Sequence, residues 1–278
     1  MCLVLTAWRA HPEYRLIVAA NRDEFYTRPT DSMRWWPEVD GLLAGRDLGA
    51  AGAVPGTWLG LMGAAHRFAA VTNVRGPGED RTETRSRGAL LMDFLRGELA
   101  PKKFLTTIGP DRYNGYNLIV SDLQTLWWHS NRSAHTPLEL PPGLHGLSNG
   151  ALLGSANTLR DTVIRTDTDA PAWPKVREGL RALGAAVAHD PSDVDGYFTV
   201  LADRTIAPDD ELPSTGLPLA RERIVSARFI PSTDHGTRCS TVLLVREDGE
   251  FTVAERSFAI HGRPLGEVSF SGRLALPD

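Results

Sequence analysis

The chain opens with Cys2-Leu3-Val4-Leu5-Thr6-Ala7-Trp8, and Tyr14-Arg15-Leu16-Ile17-Val18-Ala19-Ala20-Asn21 follows after the break Arg9-Ala10-His11-Pro12-Glu13. Both runs are β-prone and the break carries a proline, so the pair reads as a β-hairpin. Four strongly polar residues, Asn21-Arg22-Asp23-Glu24, end the second run abruptly. In such a hairpin the end of the second strand lies beside the start of the first. Arg22 or Asp23 then falls within reach of Cys2.

The same punctuation recurs downstream. Thr57–Met62 with Arg67–Val74, and Tyr116–Ser121 with Thr125–Ser130, read as two further hairpins. Between them Ser86 is placed to cap a helix running to about Leu99, whose Leu90, Leu91, Phe94 and Leu95 share one face. Residues 132–172 are rich in Pro, Ser, Thr, Asn and Gly and read mostly as loop. Helical patterns return at Trp173–Val187, with Pro174 in the first turn, and at Asp193–Ala202. Strand-like runs at Ser240–Val245, Phe251–Ser257 and Glu267–Phe270 close the chain. Hairpins, helical patches and more hairpins, without an internal repeat, predict one α+β domain over residues 1–278. Its helices should pack outside antiparallel sheets.

Composition narrows the function. Of 278 residues, 42% are apolar and 23% charged, which fits a globular chain with a core of its own. Thirty basic against 34 acidic residues give a net charge of −4, which argues against a general nucleic-acid binder. No apolar stretch approaches the roughly 18 residues of a membrane-spanning helix, and no basic flank precedes the apolar amino terminus. With only Cys2 and Cys239 there is no disulfide framework, so a cytoplasmic location is expected. Seven glycines between Gly41 and Gly63 contain no phosphate-cradling spacing, and the eight histidines show no metal-ligand spacing. A small-molecule substrate or ligand and no required cofactor or metal are expected; a homo-oligomer stays open.

Cys2 is the first candidate for chemistry. An initiator Met before a small residue is often trimmed, which would leave Cys2 with a free α-amine. That amine has a reference pKa of about 7.7–8.0 and the thiol about 8.5, so the two can exchange a proton near neutrality. A nucleophile and its base then reside in one residue. A guanidinium from Arg22 would favour the thiolate, and a carboxylate from Asp23 would orient an amine. The plainer alternatives are a small apolar residue beginning a strand and a solvated turn carrying a surface ion pair.

Cys2, Ala20-Asn21-Arg22-Asp23-Glu24-Phe25, Gly45-Arg46-Asp47, Gly56-Thr57-Trp58-Leu59-Gly60 and Val71-Thr72-Asn73 together resemble the NRDE family, the transport-and-Golgi-organisation-2-like proteins. Gly115-Tyr116-Asn117-Leu118, Gly146-Leu147-Ser148-Asn149, Trp173-Pro174-Lys175-Val176 and Gly236-Thr237-Arg238-Cys239-Ser240-Thr241-Val242 extend the likeness over almost the whole chain. The resemblance implies a four-layer αββα sandwich like that of N-terminal-nucleophile hydrolases, in the cysteine branch that cleaves linear amides. Carried onto this chain, it implies Cys2 as nucleophile and Arg22 and Asp23 as the charged pair, with Asn21 and Glu24 as the other candidates for that pair. Asn73 and Asn149 become oxyanion-hole or active-site amides, and Arg238 a late arginine bracing the site. Turn-favouring asparagines and a simple salt bridge are the blander readings of these three. Gly150–Ala172 departs from the family pattern as an insertion, expected to be a surface excursion.

Two competing readings have their own residues. Relatives of this family are associated with secretory organisation, lipid metabolism and haem handling, so a non-enzymatic haem- or lipid-handling carrier is the alternative. Cys2 with His11 or His66 would then be the iron ligands. Gly146-Leu147-Ser148-Asn149-Gly150 also satisfies G-x-S-x-G, but Pro141-Pro142-Gly143 before it and a loop-like stretch after it do not supply the strand-turn-helix that a nucleophile elbow needs.

Overall fold

The computed structural model describes residues 2–49, 55–76, 79, 81–156, 165–166 and 173–276. In chain order the first sheet elements are β1 (Cys2–His11), β2 (Tyr14–Phe25), β3 (Thr30–Trp35), β4 (Leu42–Asp47), β5 (Leu59–Met62) and β6 (Arg67–Asn73). Helices α1 (Arg87–Leu95) and α2 (Pro101–Thr106) precede β7 (Tyr116–Ser121), β8 (Leu126–Ser130), β9 (Leu138–Glu139), β10 (Gly143–Leu147), β11 (Leu153–Ala156) and β12 (Arg165–Thr166). Then come α3 (Pro174–His189), α4 (Val194–Leu201), α5 (Leu219–Ser226), β13 (His235–Arg246), β14 (Glu250–Phe258) and β15 (Pro264–Arg273). The fold is α+β with two antiparallel sheets. Among the described residues one sheet runs β12-β11-β10-β1-β2-β13-β14-β15 and the other β3-β4-β5-β6-β7-β8-β9.

The opening hairpin sits at the centre of the first sheet, and its side chains alternate between two cores. Leu3, Leu5, Ala7, Ile17 and Ala19 pack with Val176, Leu180, Leu183 and Phe198 of α3 and α4. Cys2, Val4, Trp8, Leu16, Val18 and Ala20 pack with Leu43, Leu59, Phe68, Ile119 and Trp128 of the second sheet. That sheet turns Ala44, Ala69, Leu118 and Val120 outward onto Leu90, Leu91, Phe94 and Leu95 of α1 and Phe104 of α2. Burial on both faces accounts for the unbroken apolar character of the opening strands.

The three expected hairpins and the helices at Ser86, Trp173 and Asp193 are present. Ser86 caps α1, its Oγ accepting from the Gly88 amide at 3.2 Å. The helix stops at Leu95 rather than near Leu99, in front of Gly97. The larger departure lies in 132–172, read as mostly loop. Here β10 pairs with β1, Val4 opposite Leu147 through Trp8 opposite Gly143, and β11 pairs with β10. The glycines that suggested a loop serve packing: a Cβ on Gly146 would lie 2.6 Å from Val176 Cγ1 and 2.9 Å from Leu180 Cγ, so glycine lets α3 seat on the sheet. Most of the 150–172 insertion falls outside the described residues.

Candidate active site

The hairpin register sets the site. Cys2 pairs with Arg22 across β1 and β2, and on the far side of β2 Arg22 pairs with Cys239 and Asp23 with Thr237 of β13. The register between β2 and β13 slips between Thr237 and Cys239, at Arg238. Cys2, Arg22, Asp23 and Asn73 all line one cleft of about 700 Å³, together with Arg28, Asp47 and the residues that lead into α1.

A run of short hydrogen bonds fixes the Cys2 end of this cleft. Ser148 Oγ, just past β10, donates to Cys2 O at 2.8 Å and lies 3.2 Å from Asn149 Oδ1. Thr72 Oγ1 on β6 donates to Ser148 O at 2.5 Å. Asn149 Nδ2 donates to Asn73 O at 3.0 Å and to Asn73 Oδ1 at 2.8 Å, and the Arg75 amide donates to Asn149 O at 2.8 Å. The two sheets are thereby tied together where Cys2 begins. Ser148 is buried, spends its hydroxyl on the Cys2 carbonyl, and is followed by a strand rather than a helix, so G-x-S-x-G is no nucleophile elbow here.

The sequence candidates separate into different positions. Asn73 is half-buried and faces the cleft; Asn149 is fully buried and both its amide protons go to Asn73. Arg238 stands apart: Nη1 donates to Phe25 O and Arg28 O, both at 2.9 Å, and Nη2 to Thr30 Oγ1 at 2.9 Å. It braces the turn after β2 and lines a second, small cavity of about 80 Å³ with Cys239 and Glu255. Arg22 reaches toward Asp47 Oδ2 at 3.4 Å and Glu24 at 3.8 Å, while Arg28 Nε holds both Asp47 oxygens at 2.9 and 3.0 Å. Asn21 turns away from the cleft, donating to Leu201 O and Arg228 O.

Burial dominates the electrostatics. It pushes the Cys2 thiol above its ordinary range, with Arg22 pulling it back. Cys239 is pushed further by burial and by Glu255. Burial also raises the Asp23 carboxyl, which accepts from Thr237 Oγ1 at 2.7 Å and is countered by the Lys175 ammonium. Lys175 is itself buried, donates to Val225 O at 3.2 Å, and is brought down to about 8 by desolvation, against the pull of Asp23. Beside it Arg75 and Glu222 form a buried ion pair at 2.8 Å. Neither the burial of Lys175, within the Trp173-Pro174-Lys175-Val176 stretch, nor the place of Arg87 on the cleft wall has a signal in the sequence.

The iron-ligand reading meets a geometric obstacle. Cys2 and His11 stand at opposite ends of β1, roughly 30 Å apart at about 3.3 Å per residue. His66 precedes β6, whose other end carries Asn73, so it lies roughly 20 Å from the cleft. Neither histidine can share an iron with Cys2. Among the described residues no group of three or more His, Cys, Asp or Glu is placed to hold a metal, and no helix is long and apolar enough to cross a membrane.

The match to known proteins runs through these residues. The family model described as "Transport and Golgi organisation 2" covers residues 1–259. The chain belongs to the transport and Golgi organisation 2 family. Among curated members, the "Transport and Golgi organization protein 2 homolog" of Bos taurus is 33% identical over 92% of this chain and 93% of its own length. The Homo sapiens homolog is 32% identical at the same coverage. The "Transport and Golgi organization protein 2" of Drosophila melanogaster is 27% identical over 92% of each chain.

Proposed function

We propose that this protein is a cysteine amidohydrolase of the N-terminal-nucleophile kind, acting on linear amides once Met1 has been removed. The observation that carries the reading is the position of Cys2. It opens a central strand, at the wall of a large cleft, opposite Arg22 and next to Asp23, with its own carbonyl clamped by Ser148. The order of packing, helices on sheet on sheet on helices, supports an N-terminal-nucleophile-hydrolase-like sandwich.

A buried thiol with a raised pKa is protonated at neutral pH and needs a base. The α-amine of an amino-terminal Cys2 supplies one, with a reference pKa of about 7.7–8.0. In the proposed reaction Sγ attacks the amide carbon while its proton passes to the α-amine. Asn73 Nδ2 donates to the oxyanion, in an orientation set by Asn149 on its Oδ1. Collapse breaks the C–N bond, the α-ammonium protonates the departing amine, and a thioester forms on Cys2. Water, deprotonated by the α-amine, then releases the carboxylic acid and restores the thiol. Asp23 holds the α-ammonium, and Arg22 favours the thiolate. An oxyanion donor of this kind contributes about 3–4 kcal/mol in studied hydrolases.

The lining of the cleft speaks against a lipid or haem carrier. Hydroxyl, amide and charged groups predominate, and Trp58 is its one large apolar side chain among the described residues. Release of amine from a library of N-acyl amides and thioesters tests the proposal. Turnover should vanish in Cys2→Ala. Undiminished turnover in that variant, or none by the parent protein beginning at Cys2, overturns it.

A further inference from the structure

We infer that the cleft selects small amides bearing a carboxylate next to the scissile bond, and that Arg87 at the amino end of α1 receives that carboxylate. The inference rests on the amidohydrolase reading for the place of the scissile bond, but its charge requirement can be measured separately.

One wall of the cleft is formed by Thr82, Thr84 and Arg85–Ala89, which lead into the nine-residue helix α1. No acidic residue occupies the first turn of α1, so apart from the Ser86 cap no side chain of its own offsets its positive end. The wall is fixed in place: a Cβ on Gly88 would lie 3.1 Å from Thr57 O and 3.2 Å from Gly56 Cα. Arg87 donates to Gly115 O at 3.0 Å, yet among the described residues no carboxylate lies within ion-pair distance of it. Burial pulls its pKa down, and the carboxylates of Glu24 and Glu79 oppose this from beyond ion-pair distance. A half-buried guanidinium that no described carboxylate pairs with carries a desolvation cost, and an incoming anion would relieve it.

A second, independent observation points the same way. Arg22 is 6% exposed and lines the cleft, its Nη1 has no hydrogen-bond partner, and its contacts to Asp47 and Glu24 are long. Arg28 and Arg85, by contrast, are paired with Asp47 and Asp93. Among the described residues the cleft therefore holds two incompletely paired cations: Arg22 on the thiol's neighbouring strand, with Nη1 unbonded and only long ion-pair contacts, and Arg87 on the facing wall, bonded to a carbonyl but to no carboxylate.

Asp23, Glu24 and Asp47 share the cleft, so a monoanion is better tolerated than a phosphate dianion. A volume of about 700 Å³ suits a substrate of dipeptide size. The polar lining disfavours a long acyl chain.

Hippurate and hippuramide differ only in the carboxylate and serve as probes. Calorimetric titration of Cys2→Ala protein, which cannot turn them over, should give roughly tenfold tighter binding of hippurate, the effect of one charge-assisted contact. Arg87→Gln should erase the difference and Arg87→Lys should retain part of it, each variant melting as cooperatively as its parent. Equal affinities, a preference that survives Arg87→Gln, or no binding of hippurate would overturn the inference. Displacement of hippurate by equimolar inorganic phosphate would overturn the carboxylate assignment. Charge preference without hydrolysis by the Cys2 protein sinks the amidohydrolase reading alone; hydrolysis without charge preference sinks only this one.

Discussion

Asn149 offers a sharp test of how the site is held together. Its side chain is fully buried, donates two hydrogen bonds to Asn73 and presents Oδ1 to Ser148 Oγ. Asn149→Ala removes the two donated bonds, at roughly 1 kcal/mol each, and should cost about 2 kcal/mol because half-buried Asn73 can recruit water. Asn149→Asp keeps the acceptor but sets a carboxylate oxygen against the two Asn73 oxygens that now lie 3.0 and 2.8 Å from Nδ2. An uncompensated buried charge raises the cost to about 4 kcal/mol. The sign with pH follows. The new carboxyl has a folded pKa above its unfolded value, so its stability contribution is greatest below the unfolded pKa and is lost as pH rises. The deficit of Asn149→Asp should therefore shrink from about pH 7 to about pH 5, where the protonated carboxyl again donates to Asn73. Urea unfolding of both variants and the parent at the two pH values measures this. An Asp variant no worse than the Ala variant at pH 7 would refute the assigned direction of these bonds.

Gly236→Ala places a Cβ 2.3 Å from Ile230 O and 2.5 Å from Tyr26 Oη at the start of β13, and should lower stability by about 2 kcal/mol in thermal melts. Lys175 releases its proton near pH 8 in the folded chain and near 10.5 when unfolded. Within that window the unfolded chain binds the extra proton, so stability rises with pH. Lys175→Met should flatten that rise, as read from urea midpoints across the same range. Cys2 faces the large cleft, whereas Cys239 borders the small cavity beside Glu255, so limited iodoacetamide should label Cys2 first, as scored by peptide mass.

How far the sequence could be read depends on what each signal responds to. The opening hairpin was legible because both of its strands are buried on two faces, which writes a dense apolar run ended by Asn21-Arg22-Asp23-Glu24. Ser86 announced α1 because an N-cap is a local device. Strand β10 was hidden because its glycines answer to the approach of α3, a tertiary demand that looks like a turn in one dimension. The convergence of Cys2, Arg22 and Asp23 could be argued from pairing alone. Asn73 and Asn149 needed the resemblance to a family, since the contact between them joins different sheets. Lys175 reads as an ordinary surface lysine at the start of a helix, and only the packing of α3 and α5 around it reveals a buried ammonium facing Asp23. The split between Asn73 at the cleft and Asn149 behind it follows from hydrogen-bond direction, which a sequence does not carry.

The most direct measurement is the mass of the amino-terminal peptide after the protein, purified from cells, is incubated with a panel of N-acyl amides and rapidly acid-quenched. The account predicts a chain that begins at Cys2 and carries an acyl group on the Cys2 thiol, with no adduct at Cys239 and none in Cys2→Ala. A retained Met1, or a free Cys2 that stays unacylated throughout the panel, would contradict it.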